Sequence, residues 1–262
     1  MKRDMTFSRS TDACSRFFGA THLAFALACI PLLAVEPALT GDSVPTNDGD
    51  LIIHPINHAT LALGWKKLTI YVDPVGGTAR FAGLPRADLV LLTDIHGDHL
   101  NADTIQAVAT AKTQLVVTPA VVEQLPEALR AHATILTNGQ SATVLGVTVE
   151  AIAAYNLTAE RLKFHAKGRG NGYVLTLGGK RVYLSGDTED TPELRGLRNI
   201  DVACVCMNLP YTMDVDHAAS AVREFRPKIV YPYHYRGSDL EKFKKLVGDD
   251  AGVEVRLRNW YP

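Results

Sequence analysis

The sequence lacks a block of basic residues. Its 262 residues include 27 Lys plus Arg and 28 Asp plus Glu, so the net charge is −1. Surfaces that bind nucleic acid need clustered positive charge to neutralise phosphates. We therefore exclude nucleic acid as a partner and expect a small-molecule substrate, while the oligomeric state stays open.

The sequence also lacks the signs of a serine or cysteine nucleophile. No Gly-x-Ser-x-Gly motif is present, and there are only four cysteines. Cys14 and Cys29 lie near the N-terminus, while Cys204 and Cys206 stand two apart in an apolar run. On a strand, such side chains point the same way from Cα atoms about 6.6 Å apart, which disfavours a disulfide. We predict two buried thiols that pack as small apolar groups.

A clear membrane-spanning segment is also missing. The apolar run from Phe17 to Leu33 has 17 residues and contains His22 and Pro31, so it is short for a spanning helix. Basic residues precede the run and small residues follow it, which is the layout of a secretory signal peptide. We expect residues 1–38 to be a signal peptide or leader and the protein to be exported, either periplasmic or secreted. A retained leader would anchor the protein to a membrane.

The remaining chain is predicted to hold one domain. Residues 39–50 are rich in Gly, Asp, Pro and Asn and are predicted to be a linker. Strand patterns dominate the early part of residues 51–262, and helical patterns alternate with strands in the later part. This order favours an α/β fold.

The most informative stretch runs from Thr93 to Leu100. It follows the apolar run Leu89–Leu92, which predicts a buried strand, and it precedes Asn101, a predicted helix N-cap. Imidazole and carboxylate groups are the usual ligands of Zn, Mn and Fe, so the stretch predicts a metal site. Within six residues it carries Asp94, His96, Asp98 and His99.

This turn resembles the His-x-His-x-Asp-His motif of the metallo-β-lactamase superfamily, with Asp94 in the place of the first His. The chain from about Leu51 to the C-terminus is similar to the branch that includes ascorbate-6-phosphate lactonase and N-acyl-phosphatidylethanolamine phospholipase D. The resemblance implies a four-layer αβ/βα sandwich, with two central sheets and helices outside.

Three further ligands follow from the same resemblance. His165 precedes a strand that contains Gly172-Tyr173, Asp187 follows Gly186 at a strand exit, and His234 ends another strand. Taken alone, each has an ordinary alternative as a solvated loop residue, a helix cap or a surface histidine, so the family match decides. We expect Gly186 to make room for the cation.

The resemblance also implies how the ligands are shared between two divalent metal ions. Zn or Mn is expected, with Fe possible, because a carboxylate at position 94 favours harder ions. If Asp94 does not ligate, one ion is expected. The implied arrangement is Asp94, His96 and His165 around one ion, Asp98, His99 and His234 around the other, and Asp187 as the bridge.

The implied activity is hydrolysis by a metal-bound hydroxide, which attacks an ester, lactone or phosphodiester bond while Asp98 orients it and moves a proton. Two alternatives stay open. One is a phospholipase-D-like phosphodiesterase, which would need an exposed apolar surface for lipid. The other is an iron-dependent oxidoreductase on the same fold. The Asp94 replacement argues against a β-lactamase.

Several side chains near the predicted strand ends are candidates for substrate contact. Arg169 belongs to a basic loop that could hold an anion or simply be solvated. Asp73, at another strand end, could orient the site or cap its turn. The predicted substrate contacts are His58, Arg169, Asn208, Tyr211 and Tyr233.

Overall fold

The first of two sheets is built from the N-terminal half of the chain. The computed structural model describes residues 37–262, so the predicted leader lies almost entirely outside it and stays a prediction. Seven strands follow one another across the sheet in chain order, antiparallel from the first to the fourth and parallel from there on. The strands are β1 (Asp42–Thr46), β2 (Gly49–Asn57), β3 (Thr60–Trp65), β4 (Leu68–Val72), β5 (Leu89–Leu91), β6 (Gln114–Val117) and β7 (Ala133–Ile135).

The second sheet repeats this plan with the C-terminal half. Its seven strands also neighbour one another in chain order, antiparallel from β8 to β11 and parallel from β11 to β14. The strands are β8 (Ser141–Val144), β9 (Val147–Ala154), β10 (Gly170–Leu177), β11 (Lys180–Leu184), β12 (Val202–Cys206), β13 (Ile229–Tyr233) and β14 (Glu254–Val255).

Helices cover the outer faces of the two sheets. Ile105 and Val121 of the early helices join the apolar cluster on the outer face of the first sheet. Ala218 and Phe243 of the late helices join the large core that fills the space between and beyond the sheets. The predicted α/β sandwich is confirmed. The helices are α1 (Ala102–Val108), α2 (Pro119–Gln124), α3 (Glu127–Arg130), α4 (Pro192–Arg195), α5 (Val215–Phe225) and α6 (Leu240–Val247).

The predicted linker over residues 39–50 needs correction, because it contains β1. Val44 of this strand is buried, and Pro45 is tolerated because β1 is an edge strand that needs no second ladder of hydrogen bonds. A composition rich in turn formers therefore concealed a strand. Residues 119–130 form two short helices, α2 and α3, since Pro126 disfavours helical geometry at Leu125.

The two described cysteines are structural. Cys204 and Cys206 are buried in β12, and neither forms a disulfide. Burial raises the pKa of each thiol to about 12, so neither is a thiolate at neutral pH. Among residues 37–262, no helix has both the length and the apolar character needed to cross a bilayer.

Candidate metal centre

The seven predicted ligands come together at one edge of the two sheets. The turn after β5 carries four of them, and its chain reversal is closed by the amides of His99 and Leu100, which both donate to the His96 carbonyl. Asn101 then caps α1 by accepting a hydrogen bond from the Thr104 amide, as predicted. The other three ligands follow β9, β11 and β13. Because neighbouring parallel strands end at the same edge, their exit loops meet there.

The first cluster, defined as Asp94, His96 and His165, is compact and mostly buried. The Nδ1 atom of His96 lies 2.7 Å from Oδ2 of Asp94. The Nε2 atom of His165 lies 3.8 Å from the same oxygen. The three side chains can therefore direct one ligand atom each at a single ion.

The second cluster, defined as Asp98, His99 and His234, stands next to the first. The Nε2 atoms of His234 and His99 lie 3.3 Å and 3.9 Å from Oδ2 of Asp98. Both histidines are buried, whereas the Asp98 side chain is 45% exposed. Burial by itself raises the pKa of Asp98, but hydrogen bonds from His234 and His58 outweigh it and keep the pKa below its usual range.

Asp187 lies between the clusters and faces both. Its Oδ2 atom is 3.1 Å from Nε2 of His165, while its Oδ1 atom is 3.4 Å from Nε2 of His99 and of His234. Burial by itself raises the pKa of Asp187, but His234 and His99 hold it well below the usual value. The Asp187 carboxylate thus lies between the two clusters and is ionised.

The donor atoms suit divalent cations. Within residues 37–262, the buried atoms Nε2 of His99, Nε2 of His165 and Oδ1 of Asp187 have no hydrogen-bond partner, which is costly unless another group satisfies them. The Nδ1 atom of His99 lies 2.8 Å from Oδ2 of Asp73, and Nδ1 of His165 lies 3.2 Å from the Tyr211 carbonyl. Donation through Nδ1 leaves each Nε2 lone pair free for a cation.

Two residues behind the second cluster were only partly anticipated. Asp73 accepts hydrogen bonds from both the amide and the hydroxyl of Thr93, and it also faces His99. It therefore both orients the site and caps the turn that carries the ligands. His58 places Nε2 3.1 Å from Oδ2 of Asp98, and its Nδ1 lies 2.7 Å from the Tyr261 hydroxyl. Tyr261 carried no local sequence signal of a functional role, because its partner is 203 residues away.

An open cleft of about 630 Å³ leads to the two clusters. Of the predicted substrate contacts, His58, Asn208 and Tyr211 line it. The cleft also exposes side chains that the sequence did not single out, namely Asn57, Val75 and Phe164, and it includes Arg236.

Two of the predicted substrate contacts, Tyr233 and Arg169, do not line the cleft. Tyr233 is fully buried, and its hydroxyl accepts from the Gly186 amide beneath the Asp187 turn. Arg169 directs its guanidinium at Asp94. The role of Gly186 also differs from the expectation, since its φ is +59° and a Cβ there would lie 2.9 Å from the Asn171 carbonyl oxygen. Gly186 is required by the backbone turn.

Comparisons with known proteins agree with this architecture. A family model described as a β-lactamase superfamily domain matches residues 53–234. A metal-dependent hydrolase of the UPF0173 group from Pyrococcus abyssi is 33% identical over 218 residues, which cover 76% of this chain and 93% of the relative. The crystal structure of a proposed metal-dependent hydrolase from Parabacteroides distasonis is 39% identical, with a TM-score of 0.78, and the match covers 86% of this chain and all of that one.

Proposed function

The chain belongs to the metallo-β-lactamase superfamily and is a metal-dependent hydrolase, and from this premise we propose that it uses two divalent cations, Zn or Mn, to hydrolyse an ester, lactone or phosphodiester bond. The observation that carries the proposal is the Asp187 carboxylate, whose two oxygens face different clusters. A carboxylate placed in this way would let one residue hold two cations at once, as two-metal hydrolases require.

The side chains around the cleft have distinct tasks in this proposal. Cations held by the two clusters would supply an acidified water molecule and would polarise the substrate oxygen. Asp98 reaches the cleft in ionised form, so it can accept a hydrogen bond from the attacking water and orient it. His58 holds Asp98 from behind through its 3.1 Å contact. Arg236 lines the cleft and favours substrates that carry an anionic group.

The cleft rim supports lipid phosphodiesters as a second substrate class. The loops around residues 156–166 and 208–213 both contribute to the cleft and are joined by the Phe164 and Tyr211 rings, whose centroids lie 5.1 Å apart. Exposed large apolar side chains on a rim can receive an acyl chain or a membrane surface. Four large apolar side chains on or beside these loops are 46–48% exposed, and Tyr211 among them lines the cleft; they are Leu157, Leu162, Leu209 and Tyr211.

The proposal is tested with the purified protein loaded separately with Zn and with Mn. The panel holds a lactone, a short-chain ester, a diaryl phosphodiester and a phospholipid in micelles, and D187N serves as the matched control. Turnover that D187N lacks supports the two-cation hydrolase, and the turned-over compound identifies the bond class. Turnover confined to the phospholipid favours the lipid class. Two bound equivalents without hydrolysis of any compound would count against the proposal.

A further inference from the structure

Arg169 forms a two-point contact with Asp94. Its Nε atom donates to Oδ1 and its Nη2 atom donates to Oδ2 of Asp94, both over 3.1 Å. The Asp94 side chain is 3% exposed and that of Arg169 is 21% exposed. Nη2 also donates to the Phe164 carbonyl, so the guanidinium is fixed from two sides. A planar fork of this kind matches both oxygens of a carboxylate at once.

The backbone around Arg169 is built for this approach. Gly168 has a φ of +90°, in the left-handed region that glycine adopts without strain. A Cβ on Gly170 would lie 3.3 Å from the Ala154 carbonyl oxygen and 3.6 Å from Oδ1 of Asp94. The amide of Asn171 then donates to the Thr93 carbonyl over 3.0 Å. Glycines on both sides of Arg169 thus let β10 start directly against the turn that holds Asp94.

The pair changes the charge balance of the first cluster. Asp94 stands where the superfamily motif has an imidazole, which is neutral when it ligates a cation. A carboxylate alone would add one negative charge, and the guanidinium cancels it. A carboxylate has about four lone-pair positions, so it can accept from Arg169 and still offer a ligand atom. Its Oδ2 atom also faces His96 and His165.

We propose that Arg169 is a positioning residue for the cation of the first cluster, holding Asp94 in its ligating orientation and cancelling its charge, so that the ion pair replaces one neutral imidazole. The inference rests on the proposed two-cation site. It predicts that Arg169 matters only together with Asp94. Without Arg169, the two-point contact that holds the buried carboxylate is lost, and Asp94 is free to turn away from the cluster.

A double-substitution cycle tests this prediction through metal affinity. Co²⁺ titration, followed by the visible absorption of the bound ion, gives the affinity of each equivalent in the wild type, R169A, D94H and the D94H/R169A double variant. R169A should weaken the equivalent of the first cluster by about 10–100-fold, the usual cost of losing a residue behind a ligand. In the D94H background the effect should reverse, because Arg169 would face a cation without any carboxylate to pair with. The double variant should therefore bind that equivalent more tightly than D94H.

K167A is the matched control for the loss of one positive charge from the same loop. The Nζ atom of Lys167 lies 2.8 Å from Oε1 of Glu193, so its loss should leave both affinities unchanged. R169K keeps the positive charge but lacks the two-point geometry of the guanidinium. It replaces R169A in the test if R169A does not fold. Equal effects of R169A on metal affinity in both backgrounds would overturn this inference, as would an affinity left unchanged by R169K or R169A. Either result would leave the two-cation proposal standing. A wild-type protein that binds a single equivalent would instead overturn the two-cation proposal.

Discussion

The two clusters share a bridging carboxylate but differ in the groups that stand behind their ligands. In the first cluster, Asp94 is backed by the cation Arg169, and His165 is backed by a neutral backbone carbonyl. In the second cluster, His99 is backed by the carboxylate of Asp73, and Asp98 by the imidazole of His58. The negative charge of the first cluster is therefore offset by a nearby cation, whereas the second cluster carries an additional negative charge. Two corresponding clusters in one fold can thus expose chemically identical ions to different electrostatic fields.

The backbone shows the same asymmetry. Asp73, His58 and His234 all have positive φ angles, between 44° and 55°, and all three lie at the second cluster. Such conformations cost non-glycine residues about 1–3 kcal/mol each and persist where surrounding contacts enforce them. Here the His58 amide donates to the Trp260 carbonyl, and the His234 amide donates to the His58 carbonyl. The second cluster is thus held by contacts that extend to the end of the chain.

The largest expected consequence of this comparison is the order in which cations bind. A unit charge at 4 Å contributes about 4 kcal/mol at an effective dielectric constant of about 20, and solvent screening reduces that figure. We expect the second cluster to bind its cation roughly 100-fold more tightly than the first, since about 2.8 kcal/mol corresponds to 100-fold. Competitive titration with a chromophoric chelator measures both affinities.

H165A and H234A assign the two affinities to clusters and serve as controls for each other, because each removes one buried imidazole. H165A should retain the tighter equivalent and lose the weaker, and H234A should lose the tighter. The opposite assignment would show that the Asp73 carboxylate behind His99 does not govern the order of binding.

Local sequence predicted the four candidate ligands of one turn, the family resemblance supplied the other three, and the groups behind them were anticipated only in part. The turn from Asp94 to His99 could be predicted because its four ligands are adjacent and end at a helix cap. The contact between Arg169 and Asp94 spans 75 residues, and the contact of His58 with Tyr261 spans 203. Such contacts depend on how two sheets meet, which no local period of the sequence encodes. They also determine how the clusters differ, so the asymmetry emerged only from the structure.

The carboxylate behind His99 allows a more selective test of the asymmetry. D73N keeps the shape of the side chain, and Asn tolerates the left-handed backbone conformation at this position as Asp does. It removes the negative charge that faces Nδ1 of His99 at 2.8 Å. We expect the second cluster to lose about 10–100-fold in affinity while the first changes little, so the difference between the two positions should narrow or vanish.

The same titration measures this change, with D88N as its control. Asp88 also accepts a backbone hydrogen bond near the strand pair β4–β5, from the Thr69 amide over 2.8 Å, and it does not contact either cluster. D88N should therefore change stability without changing the ratio of affinities. A D73N protein that kept the wild-type ratio would argue against charge as the source of the difference.

The smallest expected effect comes from the end of the chain. Y261F removes the hydroxyl that lies 2.7 Å from Nδ1 of His58 and that accepts from the Tyr235 amide. One lost hydrogen bond contributes about 1 kcal/mol, so we expect a loss of about fivefold in kcat, because Asp98 is held less firmly by His58. The affinity of the first cluster should not change, since the Tyr261 hydroxyl contacts His58, which lies on the side of the second cluster. Steady-state kinetics on whichever compound of the hydrolysis panel is turned over measures kcat and KM separately. Y235F, which loses the hydroxyl that accepts from the Trp260 amide, controls for general loosening of the C-terminus. If Y235F lowered kcat as much as Y261F, the effect would belong to the anchoring of the tail, and the chain of contacts from Tyr261 through His58 to Asp98 would have no separate role.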